Sequence, residues 1–289
     1  MRVSFIGLGA IGYPMAGHLP KKVQTLVWNR TLLKAQQHAK EHGSQAIAKL
    51  EEAASAEIIF TCLPTSAEVN EVVEKVSAQL KPGTVWVDCT IGDPNASREI
   101  AAKLQKLEAE FLDAPVSGGI IGAKNAQLTV MIGGEAKTLE KVRPAIECFG
   151  AKIVHVGETG AGHAVKAISN TMMAVNVWTA CEGIVSLSKY GIDPTLAFEA
   201  LNGSSGRSNA TERLLLNPVL KREFPPLFKL ALLAKDAKIA TSLTRSLSVT
   251  TPVMSLVSEL LHASKATLGQ DADYMEILKV IERWSGIKS

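Results

Sequence analysis

Arg2-Val3-Ser4-Phe5-Ile6-Gly7-Leu8-Gly9-Ala10-Ile11-Gly12-Tyr13-Pro14-Met15-Ala16 opens the chain, and its reading decides the fold. Residues 2–6 have the aromatic and β-branched content of a short buried strand, and that run stops at Gly7. Beyond the glycines, Met15, Ala16 and Leu19 recur at helical spacing, with Pro14 in the first turn, where its nitrogen needs no helical partner. The order is strand, glycine turn, helix.

Gly7-Leu8-Gly9-Ala10-Ile11-Gly12 fits G-x-G-x-x-G. The pattern is weak alone, but here it follows a strand and opens a helix, the context that gives it meaning. Gly7 permits the tight turn, Gly9 lets backbone approach a pyrophosphate, and Gly12 lets helix and strand pack closely. Backbone N–H groups of the turn and the positive end of the helix dipole face the phosphates. These residues predict a Rossmann-type dinucleotide-binding unit; taken without their flanks, they are an ordinary tight turn.

Working outward, 25–28 reads as a second strand that stops at Asn29-Arg30-Thr31, followed by a helix over 32–41. Strands at 57–63, 84–88, 110–114, 127–132 and 152–155, with helices at 66–80 and 95–107, continue the alternation. The prediction is an α/β fold, a doubly wound parallel sheet with helices on both faces. After Gly157 the strand punctuation ceases, and 163–188 reads as one long helix, with later breaks at Gly191, 203–206, Pro225-Pro226 and near Gly269. Two domains are expected: a dinucleotide-binding domain over 1–158 and an all-α domain over 159–289 that begins with the long helix.

The chain has 289 residues, 46% hydrophobic and 20% charged, with a net charge of +3. That is ample for two cores and far from a disordered composition. Cations are spread along the chain, so nucleic-acid binding has no support. Cys62, Cys89, Cys148 and Cys181 are widely separated and are expected to be free thiols. The six histidines lack metal-ligand spacing, and no metal site is expected. The first apolar run, 3–6, is too short for a signal peptide, and no run of about 20 apolar residues is present to span a bilayer. A cytoplasmic protein is the expectation.

The end of the second strand lies against the adenosine ribose in such a fold, and an acidic residue there would accept from a free 2′-hydroxyl. Here stand Asn29, Arg30 and Thr31, and a guanidinium can pair a 2′-phosphate. NADP is therefore favoured over NAD, unless Arg30 is simply a solvated surface residue. Leu63 and Pro64, and then Thr90, end the next two strands and are expected beside the cofactor.

In Asp113-Ala114-Pro115-Val116-Ser117-Gly118-Gly119, consecutive glycines expose backbone N–H groups and Ser117 adds a hydroxyl, a small site for a carboxylate. A plain turn explains the glycines equally well. Lys166 and Asn170 in Gly160-Ala161-Gly162-His163-Ala164-Val165-Lys166-Ala167-Ile168-Ser169-Asn170 are i, i+4 on an otherwise apolar helix. Desolvation there favours a neutral amine able to take and return a proton, and a snorkelling lysine is the alternative. Lys235-Asp236, in a mostly apolar helix over 228–240, is either a cofactor contact with its orienting carboxylate or a surface ion pair.

Four motifs in this order resemble the β-hydroxyacid dehydrogenase family, which includes 3-hydroxyisobutyrate dehydrogenases and tartronate semialdehyde or glyoxylate reductases. They are residues 7–16, residues 113–119, Gly160-Ala161-Gly162 with Lys166 and Asn170, and Lys235-Asp236. The resemblance implies that Lys166 is catalytic, that Ser117, Gly118 and Gly119 hold the substrate carboxylate, that Asn170 contacts the substrate, and that Lys235 lies near the nicotinamide. It also implies a homodimer or homotetramer. Where the family often has Ser-Thr or Ser-Ser, this chain has Thr90-Ile91, so Thr90 is taken as the cofactor hydroxyl. Imine reductases commonly lack the lysine, and 6-phosphogluconate dehydrogenases usually place a histidine where Ser169 stands. The expected substrate is thus a small 3-hydroxy acid resembling 3-hydroxyisobutyrate, or its semialdehyde. Reduction of glyoxylate or succinic semialdehyde is the alternative, and a non-catalytic dinucleotide-binding protein the remote one.

Overall fold

The structure is a computed structural model describing residues 1–287. In chain order the first elements are β1 (Arg2–Ile6), α1 (Gly12–His18), β2 (Gln24–Trp28), α2 (Leu32–His42), β3 (Gln45–Ala46), β4 (Ile58–Thr61), α3 (Ser66–Val76), β5 (Val85–Asp88) and α4 (Pro94–Gln105). Then come β6 (Glu110–Asp113), β7 (Val116–Ser117), α5 (Gly119–Lys124), β8 (Leu128–Gly133), α6 (Ala136–Ile146) and β9 (Gly150–Gly157). Helices α7 (Ala161–Tyr190), α8 (Pro194–Asn202), α9 (Leu216–Leu220), α10 (Leu230–Ser246), α11 (Pro252–Leu268) and α12 (Ile277–Trp284) follow.

Strands buried on both faces need apolar residues on both, and these have them. Val3 and Phe5 of β1, Phe60 of β4 and Val87 of β5 enter one cluster with Met15 of α1 and Leu139 and Val142 of α6. Their neighbours Ile6, Ile59 and Trp86 enter another with Val69 and Val73 of α3 and Ile100 and Leu104 of α4. Helices therefore cover both faces. The strand order is β3-β2-β1-β4-β5-β6-β8-β7, with β9 on β8. The first six are mutually parallel, in the order typical of a dinucleotide-binding fold.

The parallel sheet turns mixed at its edge. β8 runs antiparallel to β6 and β7, and β9 runs parallel to β8. The cause is length: the six residues of α5 rise about 9 Å, whereas returning along a six-residue strand needs about 20 Å, so the chain reverses. Two-residue strands such as β3 and β7 leave no readable periodicity, and neither was expected. The helix expected over 66–80 ends as α at Val76 and continues as a 3-10 turn, Ser77–Gln79.

The chain divides into two units, Met1–Lys166 and Ala167–Ser289. The core of the second gathers Trp178, Cys181 and Ile184 of α7, Phe198 of α8, Leu233 of α10, Leu261 of α11 and Ile277 and Ile281 of α12. Asp273 organises the approach to α12. Its carboxylate accepts from the backbone of Leu227, Phe228 and Met275. The break between α10 and α11, which sequence periodicity does not reveal, occurs at Ser248 with φ +56° and is fixed by Pro252 at the start of α11. Among the described residues no helix is long and apolar enough to cross a membrane.

Candidate functional site

Two of the three fingerprint glycines are required by close approach within the chain. A Cβ on Gly7 (φ +101°) would lie 2.3 Å from the Cys62 carbonyl oxygen, and one on Gly12 would lie 2.1 Å from that of Gly7. Gly9 differs: nothing stands within 4 Å of a Cβ built there. Its smoothness faces open space, the cradle a pyrophosphate needs, so a dinucleotide fits the turn. Asn29 locks this turn to the end of β2, accepting from Leu8 N at 3.1 Å and donating to the Thr31 carbonyl at 3.2 Å. Its amide thus shapes the loop, while the Leu8 side chain is buried and Ala10, Arg30 and Thr31 are exposed.

The loops after β4 and β5 are tied together. Leu63 N donates to Thr90 Oγ1 at 3.0 Å, and Asp93 N donates to Ser66 Oγ at 2.9 Å. Thr90 is buried, and its hydroxyl, accepting from Leu63, retains a proton of its own to donate. Cys62 and Cys89 directly follow the same strands. Burial, with the Asp88 carboxylate nearby, pushes the Cys62 thiol up to about 12, and burial raises Cys89 well above its usual value. Burial thus disfavours the thiolate form of both.

The start of α7 is fixed by an aspartate that sequence reading treated only as the first residue of a motif. Asp113, fully buried at the end of β6, accepts from Gly160 N at 2.7 Å and His163 N at 2.9 Å. A carboxylate at a helix N-terminus satisfies orphan N–H groups and complements the dipole. Glycine is forced at 162, where a Cβ would come within 2.4 Å of the Met131 carbonyl oxygen. Lys166 follows one turn after His163 and is 5% exposed. Ser117 stands four residues beyond Asp113, half-buried, with Gly118 (φ +135°) and Gly119 (φ +64°) exposed. The end of β6 therefore anchors both the lysine-bearing turn and the Ser-Gly-Gly loop.

A second network missed by sequence reading lies beside it. The His163 Nδ1 is 2.6 Å from Ser97 Oγ of α4, and Asp88 Oδ1 accepts from Thr61 Oγ1 and Thr90 N. Two aspartates that close apolar strands, Asp88 and Asp113, are register neighbours on β5 and β6. An acidic residue ending each of two successive buried strands was the available signal.

In the second unit, Asp236 is fully buried between two expected site residues. The Asn170 Nδ2 donates to its Oδ2 at 2.7 Å, and Lys235 Nζ lies 3.2 Å from its Oδ1. A carboxylate only accepts, so the Asn170 amide is turned with Oδ1 left as the acceptor. Lys235 is partly exposed and paired with Asp236.

The chain's relatives agree with this architecture. The family described as the NAD-binding domain of 6-phosphogluconate dehydrogenase matches residues 2–157, and that described as NAD-binding of NADP-dependent 3-hydroxyisobutyrate dehydrogenase matches 160–281. The chain is 33% identical to 2-(hydroxymethyl)glutarate dehydrogenase of Eubacterium barkeri, over 99% of this chain and 97% of that one. It is 31% identical to 2-hydroxy-3-oxopropionate reductase of Escherichia coli, over 98% and 97%. It also resembles the structure of Mycobacterium tuberculosis 3-hydroxyisobutyrate dehydrogenase with L-serine, at a TM-score of 0.89 and 29% identity over 97% and 98%.

Proposed function

The chain belongs to the β-hydroxyacid dehydrogenase family, whose members carry out pyridine-nucleotide-dependent oxidoreduction of hydroxy acids and semialdehydes, and from that premise we propose that Lys166 is its proton-transfer residue. The observation that carries this reading is a lysine 5% exposed, in a turn whose backbone is clamped by the buried Asp113. Burial favours the neutral amine, which removes the substrate hydroxyl proton in oxidation and returns it to the carbonyl oxygen in reduction. When bound, the nicotinamide takes hydride from the substrate carbon or gives it back. Ser117 and the amides of Gly118 and Gly119 hold the substrate carboxylate. Asn170, oriented by Asp236, helps hold the substrate.

The cofactor is held at Gly7, Leu8, Gly9, Ala10, Ile11 and Gly12, with Leu63 and Pro64 on its adenine or ribose side and Thr90 and Lys235 toward the nicotinamide. NADP is preferred, because Arg30 and Thr31 are exposed just past β2 with no acidic residue among them. The substrate is a small 3-hydroxy acid of the 3-hydroxyisobutyrate kind. Free cysteines accord with the reducing cytoplasm, and the exposed Val253 and Leu256 on α11 accord with a homo-oligomer.

The test is a panel of 3-hydroxyisobutyrate, serine, glycerate, 6-phosphogluconate, glyoxylate and succinic semialdehyde, each with NAD(H) and NADP(H). Turnover is expected with a small 3-hydroxy acid and NADP. Turnover confined to glyoxylate or succinic semialdehyde would move the assignment to that reductase, and silence across the panel would overturn the enzymatic reading.

A further inference from the structure

His163 is fully buried, and its ring meets three parts of the cofactor-facing edge of the sheet. Nδ1 lies 2.6 Å from Ser97 Oγ. The neighbouring Asp93 carbonyl already accepts from Ser97 N at 3.0 Å, so the Ser97 hydroxyl proton can go to Nδ1, which places the ring proton on Nε2. A methyl group on Gly92 would stand 2.8 Å from His163 Cε1, so the loop after β5 rests directly on the ring. On its far side Nε2 lies 3.9 Å from Asp88 Oδ2 and has no hydrogen-bond partner among the described residues. A buried ring nitrogen left short of a bond is costly, and the gap to Asp88 is too narrow for an intervening water. Meanwhile the other Asp88 oxygen holds Thr90 N, and the His163 backbone N–H is held by Asp113.

We propose that His163 is a positioning residue: by joining Gly92, Ser97 and Asp88 to the turn just before Lys166, it makes ordering of the loop after β5 around the cofactor and placement of the lysine amine one event. The inference rests on the lysine reading above. When the loop closes on the cofactor, a shift of about 1 Å brings Nε2 and Asp88 Oδ2 within hydrogen-bonding distance, and the helix turn moves with the ring.

Hydrogen–deuterium exchange of the whole protein with and without NADPH tests this, read on peptides covering 90–93 and 160–168, alongside kcat and KM for the panel substrate that turns over. In the parent, NADPH is expected to slow exchange in both peptides. In His163→Leu it should slow only 90–93, with kcat down tenfold or more and substrate KM within about twofold. His163→Asn restores a polar atom at the Nδ1 position and should recover the second protection and most of kcat, a rescue that a merely space-filling role would not give. Ser97→Ala, which leaves the ring in place, carries the test if His163→Leu does not fold, and should lose the 160–168 protection. Protection of both peptides in His163→Leu or in Ser97→Ala, with kcat within twofold of the parent, would overturn the proposal. The lysine reading fails separately, by normal turnover of Lys166→Ala.

Discussion

Arg30 and His38 illustrate how much a single side chain decides. Arg30→Ala should raise the KM for NADP at least tenfold and change that for NAD by less than about threefold, measured by steady-state kinetics with each cofactor; equal effects on both would refute the 2′-phosphate role. His38 lies under the glycine helix, bonded to Ser44 Oγ and the Tyr13 carbonyl. Burial, then the neighbouring His42, lowers it from the usual 6.5 to about 4. A histidine depressed on folding binds more protons unfolded, so its contribution is full above 6.5 and is lost as pH falls through 4. Denaturation midpoints should therefore drop between pH 6.5 and 4, with this residue adding a slope of about 1.4 kcal/mol per pH unit that His38→Leu removes. Residue types and spacings made Lys166, Asn170 and the glycines legible. Asp113 and His163 were not, because their roles arise from partners 47 to 66 positions away.

At the scale of elements, the first turn of α7 carries the proposed proton-transfer residue. Asp113→Asn keeps the shape but puts an amide NH₂ against a backbone N–H, and should cost about 2 kcal/mol in denaturant unfolding while lowering turnover. Unchanged stability would mean that the carboxylate does not hold the helix. Gly12→Ala forces a methyl group onto the Gly7 carbonyl, and should destabilise by about 3 kcal/mol and abolish NADPH binding in a calorimetric titration. Strands and long helices were readable because their apolar periodicity runs over many residues. The two-residue β7 and the reversal at β8 were not, since they are set by how far a six-residue helix reaches.

Across the whole molecule, the alternation of strands and helices followed by helices alone was written in the sequence, and each unit has its own apolar core. What the pattern did not contain is the substrate's identity, because side-chain recognition depends on loops without periodicity. The central claim, that this dehydrogenase moves its proton through Lys166, is tested most directly by Lys166→Ala, with turnover and NADPH affinity measured on the same preparation. Turnover should fall by about 100-fold to 10,000-fold with NADPH binding within a few-fold of the parent. Turnover near that of the parent, with NADPH still bound, would contradict it.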